Sequence, residues 1–471
     1  MQKYLLTLGL AATLALPSCV KNPNVTEDVY LTTPNAAKSW AMGIRRQLAL
    51  TMNAVVVNAE LISDNYYNNY TQNSKVFDIP QIDYFDVDVN TTQSEIQRLR
   101  EMATYGLNKI APSDPTITPA DKATMHFAHA FAYLLSGETF VALPDSALGA
   151  VLTSKEHLQK ALTLWDVAIA AEPDAAKKMA YTLLKARTYY ALGDAANAST
   201  VATQVLAQKN VLLQVAYDGL NSISNEMQNG TFIAQPNRFA PLPRLDFLDP
   251  KYFNAGVAAQ EQKSIAIAKG EEAYLILAEA QLAAGNLATA RTYLQTMLTD
   301  VVNLRTVTAV DDSKETRNGG NRKDYPLKAL KVKFDASDAE RTGYVLDRQA
   351  GKVNVYTVSG TKVTAADLTA AATADELLYL LYRMRQEIFM SEGRRMFDLG
   401  IKFPVSQIEQ LGNKNVRDEH TKAQLPSFIP LSRGMDDFSV DAANGVVTMK
   451  YDMNKVLVQN KTAKEIFPFI N

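Results

Sequence analysis

The densest group of ionisable residues is Glu387, Glu392, Arg394, Arg395 and Asp398, gathered in one short stretch. Paired carboxylates are the machinery of glycoside hydrolysis. The same residues also suit a structural role, as a Glu–Arg–Asp network that locks a helix end onto neighbouring helices. We expect the second, with Glu387, Glu392, Gly393, Arg394 and Asp398 as a structural signature and no catalytic residue. His126 and His129 stand three apart, so one helix face presents both. No HExxH pattern or Cys/His cluster accompanies them, and metal binding is not expected. The 318–321 stretch, Asn-Gly-Gly-Asn, lacks the Lys-Ser/Thr of a phosphate loop and reads as a plain loop. No cofactor is expected.

Binding chemistry has better candidates. Sugars offer apolar C–H faces to aromatic rings and hydroxyls to Asn, Asp and Arg. Tyr66, Tyr67, Asn68, Asn69 and Tyr70 combine both in a segment that reads as a loop. Asn237, Arg238 and Phe239, with Tyr252 and Phe253, form a second candidate group. The two tryptophans, Trp40 and Trp165, lie on helical patterns and read as core. Two is few for gripping a long polysaccharide, so a short oligomer, a peptide or another small nutrient stays open. The charge is balanced, 48 Lys+Arg against 50 Asp+Glu in 471 residues, which argues against nucleic acid as a partner.

The single cysteine, Cys19, ends the first apolar segment. One positive charge and an apolar run of about a dozen residues describe a secretory signal peptide rather than a membrane span. Leu16-Pro17-Ser18-Cys19 resembles a bacterial lipobox, in which the cysteine is lipidated and becomes the new N-terminus. Several acyl chains on one residue anchor stably where a single chain would not. We therefore expect a signal peptide over 1–18, a lipidated tether over 19–33, and a membrane attachment through the lipid alone.

The elements that must position these residues are mostly helical. Trp40, Ile44, Leu48 and Met52 at four-residue spacing predict a long helix over 34–63. The 64–74 segment breaks it, 76–90 reads as extended, and helix resumes over 92–110, ending before Pro112. A helix over 120–136 stops at Gly137, and 154–171 is another. Two later segments match residue for residue in spacing: Ala186, Tyr190, Gly193, Ala198, Ala202, Leu206, and Ala278, Leu282, Gly285, Ala290, Leu294, Leu298. That is the spacing of tetratricopeptide (TPR) hairpins, where small residues let antiparallel helices approach and glycine supplies positive φ at the turn. We expect an N-terminal TPR-like region over 34–220, an irregular insertion over 221–268, a TPR-like hairpin over 269–302 and a loop-rich lobe over 303–471. That lobe should carry a helix over 373–392, a small β-hairpin within 344–363 and a largely irregular tail after 437.

In this order, the features resemble the SusD/RagB family of outer-membrane nutrient-binding lipoproteins. The resemblance rests on the lipobox, Ser63-Asp64 after the long helix, the 123–144 helix and turn, the two TPR-like units and the EGRRMFDL stretch from Glu392 to Leu399. It implies a mainly α, SusD-like scaffold with little β-structure. It also implies capture of a nutrient, usually an oligosaccharide, at the outer face of the outer membrane, for delivery to a SusC-like TonB-dependent transporter. The alternative from another class is a TPR-type envelope scaffold that mediates protein–protein interaction.

Overall fold

The computed structural model describes residues 30–31, 33–70, 72–233, 237–253, 256–257, 259–313, 322–432 and 434–470. Cys19, the signal peptide, most of the tether and the 318–321 loop lie outside them.

Eight helices form four antiparallel pairs in chain order: α1 (Ala36–Leu61) with α2 (Val87–Tyr105), α3 (Pro119–Thr139) with α4 (Ser154–Ala171), α5 (Ala175–Ala191) with α6 (Ala195–Val205), and α7 (Glu271–Ala283) with α8 (Leu287–Asp300). Each pair also packs on the next, giving a continuous TPR-like stack. The starts are capped as the sequence demands. Asp86, Asp174 and Asp194 accept backbone N–H groups at the heads of α2, α5 and α6, and Thr153 with Glu156 forms a capping box on α4. At the hairpin turns Gly193 and Gly285 take φ of +75° and +78°. Ala186, Ala198, Ala278 and Ala290 are fully buried where the paired helices meet. Trp165 is also fully buried, packed near Phe127 and Tyr181. Trp40 is partly buried and donates from Nε1 to the Met102 carbonyl at 2.8 Å.

The second lobe carries α9 (Ala374–Ile388), the short α10 (Arg395–Asp398) and α11 (Met453–Gln459) among small sheets. In chain order the strands are β1 (Tyr66–Asn68), β2 (Ala142–Pro144), β3 (Val151–Thr153), β4 (Leu212–Val215), β5 (Phe239–Pro241), β6 (Ile265–Lys269), β7 (Val307–Asp311), β8 (Lys331–Lys333), β9 (Lys352–Tyr356), β10 (Phe438–Asp441) and β11 (Val446–Met449). Antiparallel pairs are β1–β5, β2–β3, β4–β6, β7–β9 and β10–β11, and β8 joins β11 in parallel.

Several boundaries differ from expectation, each for a local reason. Residues 76–90 are not extended: Lys75–Asp78 is a 3₁₀ turn, and the Asp86 cap starts α2 at Val87. The helix does not end before Pro112. A π-helical turn over Gly106–Ile110 widens the backbone, and helix continues through Ala111–Ser113. Gly137 does not stop α3. A Cβ there would meet the Leu158 side chain at 2.5 Å and the Ser154 carbonyl at 2.8 Å, so its role is to let α4 approach. The strand within 344–363 exists as β9, but its partner is the distant β7. The small hairpin lies instead at β10–β11, in the tail expected to be irregular, and α11 follows it.

Candidate functional site

The C-terminal end of α1 runs into a buried junction between the helical stack and the second lobe. Asp64 is its hub. Arg395 reaches it from Nε to Oδ1 at 2.6 Å and from Nη2 to Oδ2 at 3.0 Å, Arg244 pairs with the same carboxylate, and Gln386 Nε2 donates at 3.0 Å. Burial opposes the charge on Asp64, but Arg395 and Arg244 hold its carboxyl below the usual range. Arg385 pairs with Asp398 at 2.7 Å, and Arg394 bridges Glu138 at 3.0 Å and Glu272 at 3.1 Å. Glu392 takes Lys269 at 2.8 Å and also Lys251, while Glu387 takes Arg383 at 3.0 Å. These carboxylates and arginines are thus buried and paired, Arg244, Arg394 and Arg395 with acids far away in sequence and Arg383 and Arg385 within the 383–398 stretch.

Gly393 sits at φ +73°, and its N–H donates to Glu60 Oε1 at 2.9 Å. Glu60 has no cation within salt-bridge distance among the described residues, and desolvation pushes its pKa up to about 7. The same burial pushes Lys269 down to about 8, against the pull of Glu392.

The tyrosine–asparagine segment is not an exposed loop. Tyr66, Tyr67, Asn68 and Asn69 are each at most 5% exposed, because β1 pairs with the distant β5 and both its faces are covered. Tyr66 Oη lies 2.6 Å from Ser391 Oγ, and Asn69 Nδ2 donates to the Asn237 carbonyl at 3.0 Å. Lys75 Nζ sits 4.0 Å from the Tyr67 ring centroid, and Asn68 Nδ2 donates to the Asn73 carbonyl at 3.2 Å. Asn237 is fully buried and donates to the Thr231 carbonyl. These side chains are buried against other parts of the chain rather than exposed on a loop. Tyr70 is partly exposed. Tyr252 is buried, with its hydroxyl donating to the Ser391 carbonyl at 2.7 Å.

Arg238, with the buried Phe239 beside it, does reach an open cleft. The cleft, about 320 Å³, lies between α1, α2 and the 222–226 segment, with β5 at its edge. Asn53 and Asn58 come from α1, and Asp88, Thr91 and Glu95 from one face of α2. Asn73, Glu226 and Arg238 close the other side, and Leu50, Ala54, Val57 and Ile223 supply apolar surface. Arg238 Nη2 is 2.7 Å from Glu226 Oε2, and burial raises the Asp88 pKa. The Asn58 Oδ1 atom is buried without a hydrogen-bond partner among the described residues. Apart from Arg238 and Phe239, sequence reasoning missed these residues, although Asp88, Thr91 and Glu95 at three- and four-residue spacing form a legible polar face.

Amides, carboxylates and a guanidinium around an apolar strip bind polyhydroxylated small molecules by hydrogen bonds and C–H contact. Among the described residues no group of three or more His, Cys, Asp or Glu is placed to hold a metal ion, and no helix is long and apolar enough to cross a membrane.

No family model and no curated relative matches the chain. Solved structures do. A SusD superfamily protein from Bacteroides fragilis aligns with a TM-score of 0.53 at 15% identity, covering 82% of this chain and 99% of that one. A SusD superfamily protein from Bacteroides thetaiotaomicron aligns at 0.51 and 14%, covering 82% and 98%. A SusD-like carbohydrate binding protein from Bacteroides vulgatus aligns at 0.50 and 13%, covering 77% and 82%. With its four helical hairpins and loop-rich second lobe, the chain has the SusD/RagB fold.

Proposed function

We propose that the protein is a lipid-anchored, surface-exposed nutrient-binding protein of the outer membrane. It captures a short oligosaccharide and hands it to a SusC-like TonB-dependent transporter. The observation that carries the binding role is the cleft between α1 and α2, where Asp88, Glu95, Asn73 and Arg238 surround an apolar strip. Its volume falls at the low end for small-molecule sites, which suits one or two sugar rings rather than a polymer. Two further observations support the reading. The sequence ends an apolar leader at Cys19, and the fold is shared with a carbohydrate binding protein. Binding of this kind needs no covalent step, and the junction carboxylates Asp64, Glu138, Glu272, Glu387, Glu392 and Asp398 are already engaged with cations.

The test is a panel of oligosaccharides and peptides titrated calorimetrically against the purified chain and its Arg238→Ala and Asp88→Asn variants. We expect saturable binding to one glycan class, weakened about tenfold or more in each variant, since a lost charged hydrogen bond costs about 1.5–3 kcal/mol. Binding that ignores both substitutions would remove the cleft from consideration. Association with the transporter is checked separately, by co-purification from membranes with and without Cys19→Ala.

A further inference from the structure

The walls of the α1–α2 cleft carry more negative than positive charge. Three carboxylates line it, Asp88, Glu95 and Glu226, and Arg238 is the one cation among its lining residues. Two of the acids already hold a cation. Glu226 has Arg238 at 2.7 Å, and Glu95 has Arg98 at 2.9 Å. Asp88 does not. Its Oδ2 accepts the Ser74 N–H at 2.6 Å, and among the described residues no Lys, Arg or His lies within salt-bridge distance of it. Burial, and then the like charge of Asp86, raises its pKa. In the junction, by contrast, Asp64 and Glu272 are buried with arginines built in.

A second unmet demand sits beside Asp88. Asn58 reaches across from α1, and its Nδ2 donates to the Asp88 carbonyl at 3.2 Å and to Thr92 Oγ1 at 2.8 Å. The Thr92 hydroxyl proton goes to that same carbonyl, at 2.8 Å, so both neighbours of the amide nitrogen act only as acceptors. This fixes which end of the amide is which. Oδ1 is then an acceptor with no donor among the described residues, on a cleft residue that is 3% exposed. A buried acceptor left unpaired is unfavourable, and a ligand donor relieves it.

One end of the cleft thus lacks two things: a positive charge for Asp88 and a donor for Asn58. A sugar hydroxyl supplies only the donor, and so does an acetamide. A protonated amine supplies both, through charge-assisted hydrogen bonds. The apolar strip of Leu50, Ala54, Val57 and Ile223 offers contact to the C–H face of the ring that carries it. We propose that the nutrient taken by this cleft is an amino sugar with a free, protonated amine, seated with its ammonium on Asp88 and Asn58. This specificity rests on the cleft being the nutrient site. Arg238, held by Glu226, serves the ring hydroxyls.

The probes are β-1,4-linked trimers of glucosamine, N-acetylglucosamine and glucose, which differ only at the second carbon of each ring. The fourth probe, 1,4-diaminobutane, is an amine without a sugar. Calorimetry is run at about pH 6, between the ordinary ranges of a carboxylate and an amine. The glucosamine trimer should bind saturably, at least about tenfold tighter than the other trimers or the diamine. Added salt should shrink that preference. Asp88→Asn should bring the trimers to within about threefold of one another. Asparagine keeps an acceptor for the Ser74 N–H and removes a charge that burial opposes, so its circular dichroism and melting should match the parent chain. A preference that survives Asp88→Asn would overturn the proposal, as would diamine binding as tight as that of the glucosamine trimer. Binding of the neutral trimers at equal or greater affinity would overturn amine recognition and leave the cleft as a sugar site. Absence of saturation by every trimer at millimolar concentration would overturn it too, and the cleft reading would then be decided by the wider panel and Arg238→Ala.

Discussion

The junction around Asp64 and the cleft around Arg238 use the same residue types to opposite ends. In both, arginine meets carboxylate at under 3 Å: Arg395 with Asp64 at 2.6 Å, and Arg238 with Glu226 at 2.7 Å. The side chains of the first pair are 1% exposed each, and those of the second 18% and 39%. A buried pair has lost its water and depends on its partner, whereas a half-exposed pair can trade that partner for water or for a ligand hydroxyl. Residue chemistry alone does not separate architecture from recognition; burial does.

The largest expected effect tests the architectural side. Asp64→Ala leaves Arg395 and Arg244 buried beside an empty position, and breaking a buried pair in this way costs about 3–5 kcal/mol. We expect a large drop in the urea midpoint, or failure to fold, measured by chemical denaturation. Asp64→Ala at parental stability would show that water compensates the two arginines, and the contrast with the cleft would fall. Asp398→Ala, which strands Arg385, should likewise act on folding yield before it acts on ligand affinity.

A smaller effect comes from Glu60, a junction carboxylate without a cation at salt-bridge distance among the described residues. Glu60 has its pKa raised by burial from an ordinary value of 4.5 to about 7. The folded chain therefore binds this proton more tightly than the unfolded chain. The stability it contributes is fully present below about pH 4.5 and is lost as the pH climbs towards 7, by roughly 3 kcal/mol in all. Lys269, pushed down to about 8, has the opposite sign in a separate window, with stability rising from about pH 8 upward. Denaturation curves across pH 4.5–7 should show the decline in the parent chain and its loss in Glu60→Gln. An equal slope in the variant would place the titration elsewhere.

How much of this was visible in the sequence depends on how local its cause is. The hairpins around Gly193 and Gly285 were legible because helix period, small interface residues and a turn glycine all act within one stretch of chain. The EGRRMFDL segment showed its ionic character but not its partners. Glu138 and Glu272 lie 256 and 122 residues from Arg394, and no local spacing encodes them. The tyrosine–asparagine stretch misled for the same reason. Its composition reads as a loop, yet pairing with β5 buries it on both sides. Arg238 is legible from its type, while Asp88 is not, because 76–90 reads as extended and so separates it from Glu95 on the expected helix over 92–110. The Asp86 cap that starts α2 was the overlooked cue.

The smallest expected effect is the sharpest probe of the contrast. Glu226→Ala removes the partner of Arg238 in the cleft, just as Asp64→Ala removes the partner of Arg395 in the junction. The Arg238 side chain keeps access to water, so the cost should stay within about 1 kcal/mol, the range of exposed pairs. Binding should respond differently from stability. Freed from Glu226, the guanidinium is available to a ligand hydroxyl, but it loses the contact that fixes its orientation at the cleft wall. Glu226→Ala should therefore change glycan affinity while leaving the melting midpoint within a few degrees. Glu226→Gln, which keeps an acceptor for Arg238, should restore affinity. A stability loss for Glu226→Ala comparable to that of Asp64→Ala would make the cleft pair architectural too, and burial would no longer distinguish the two regions.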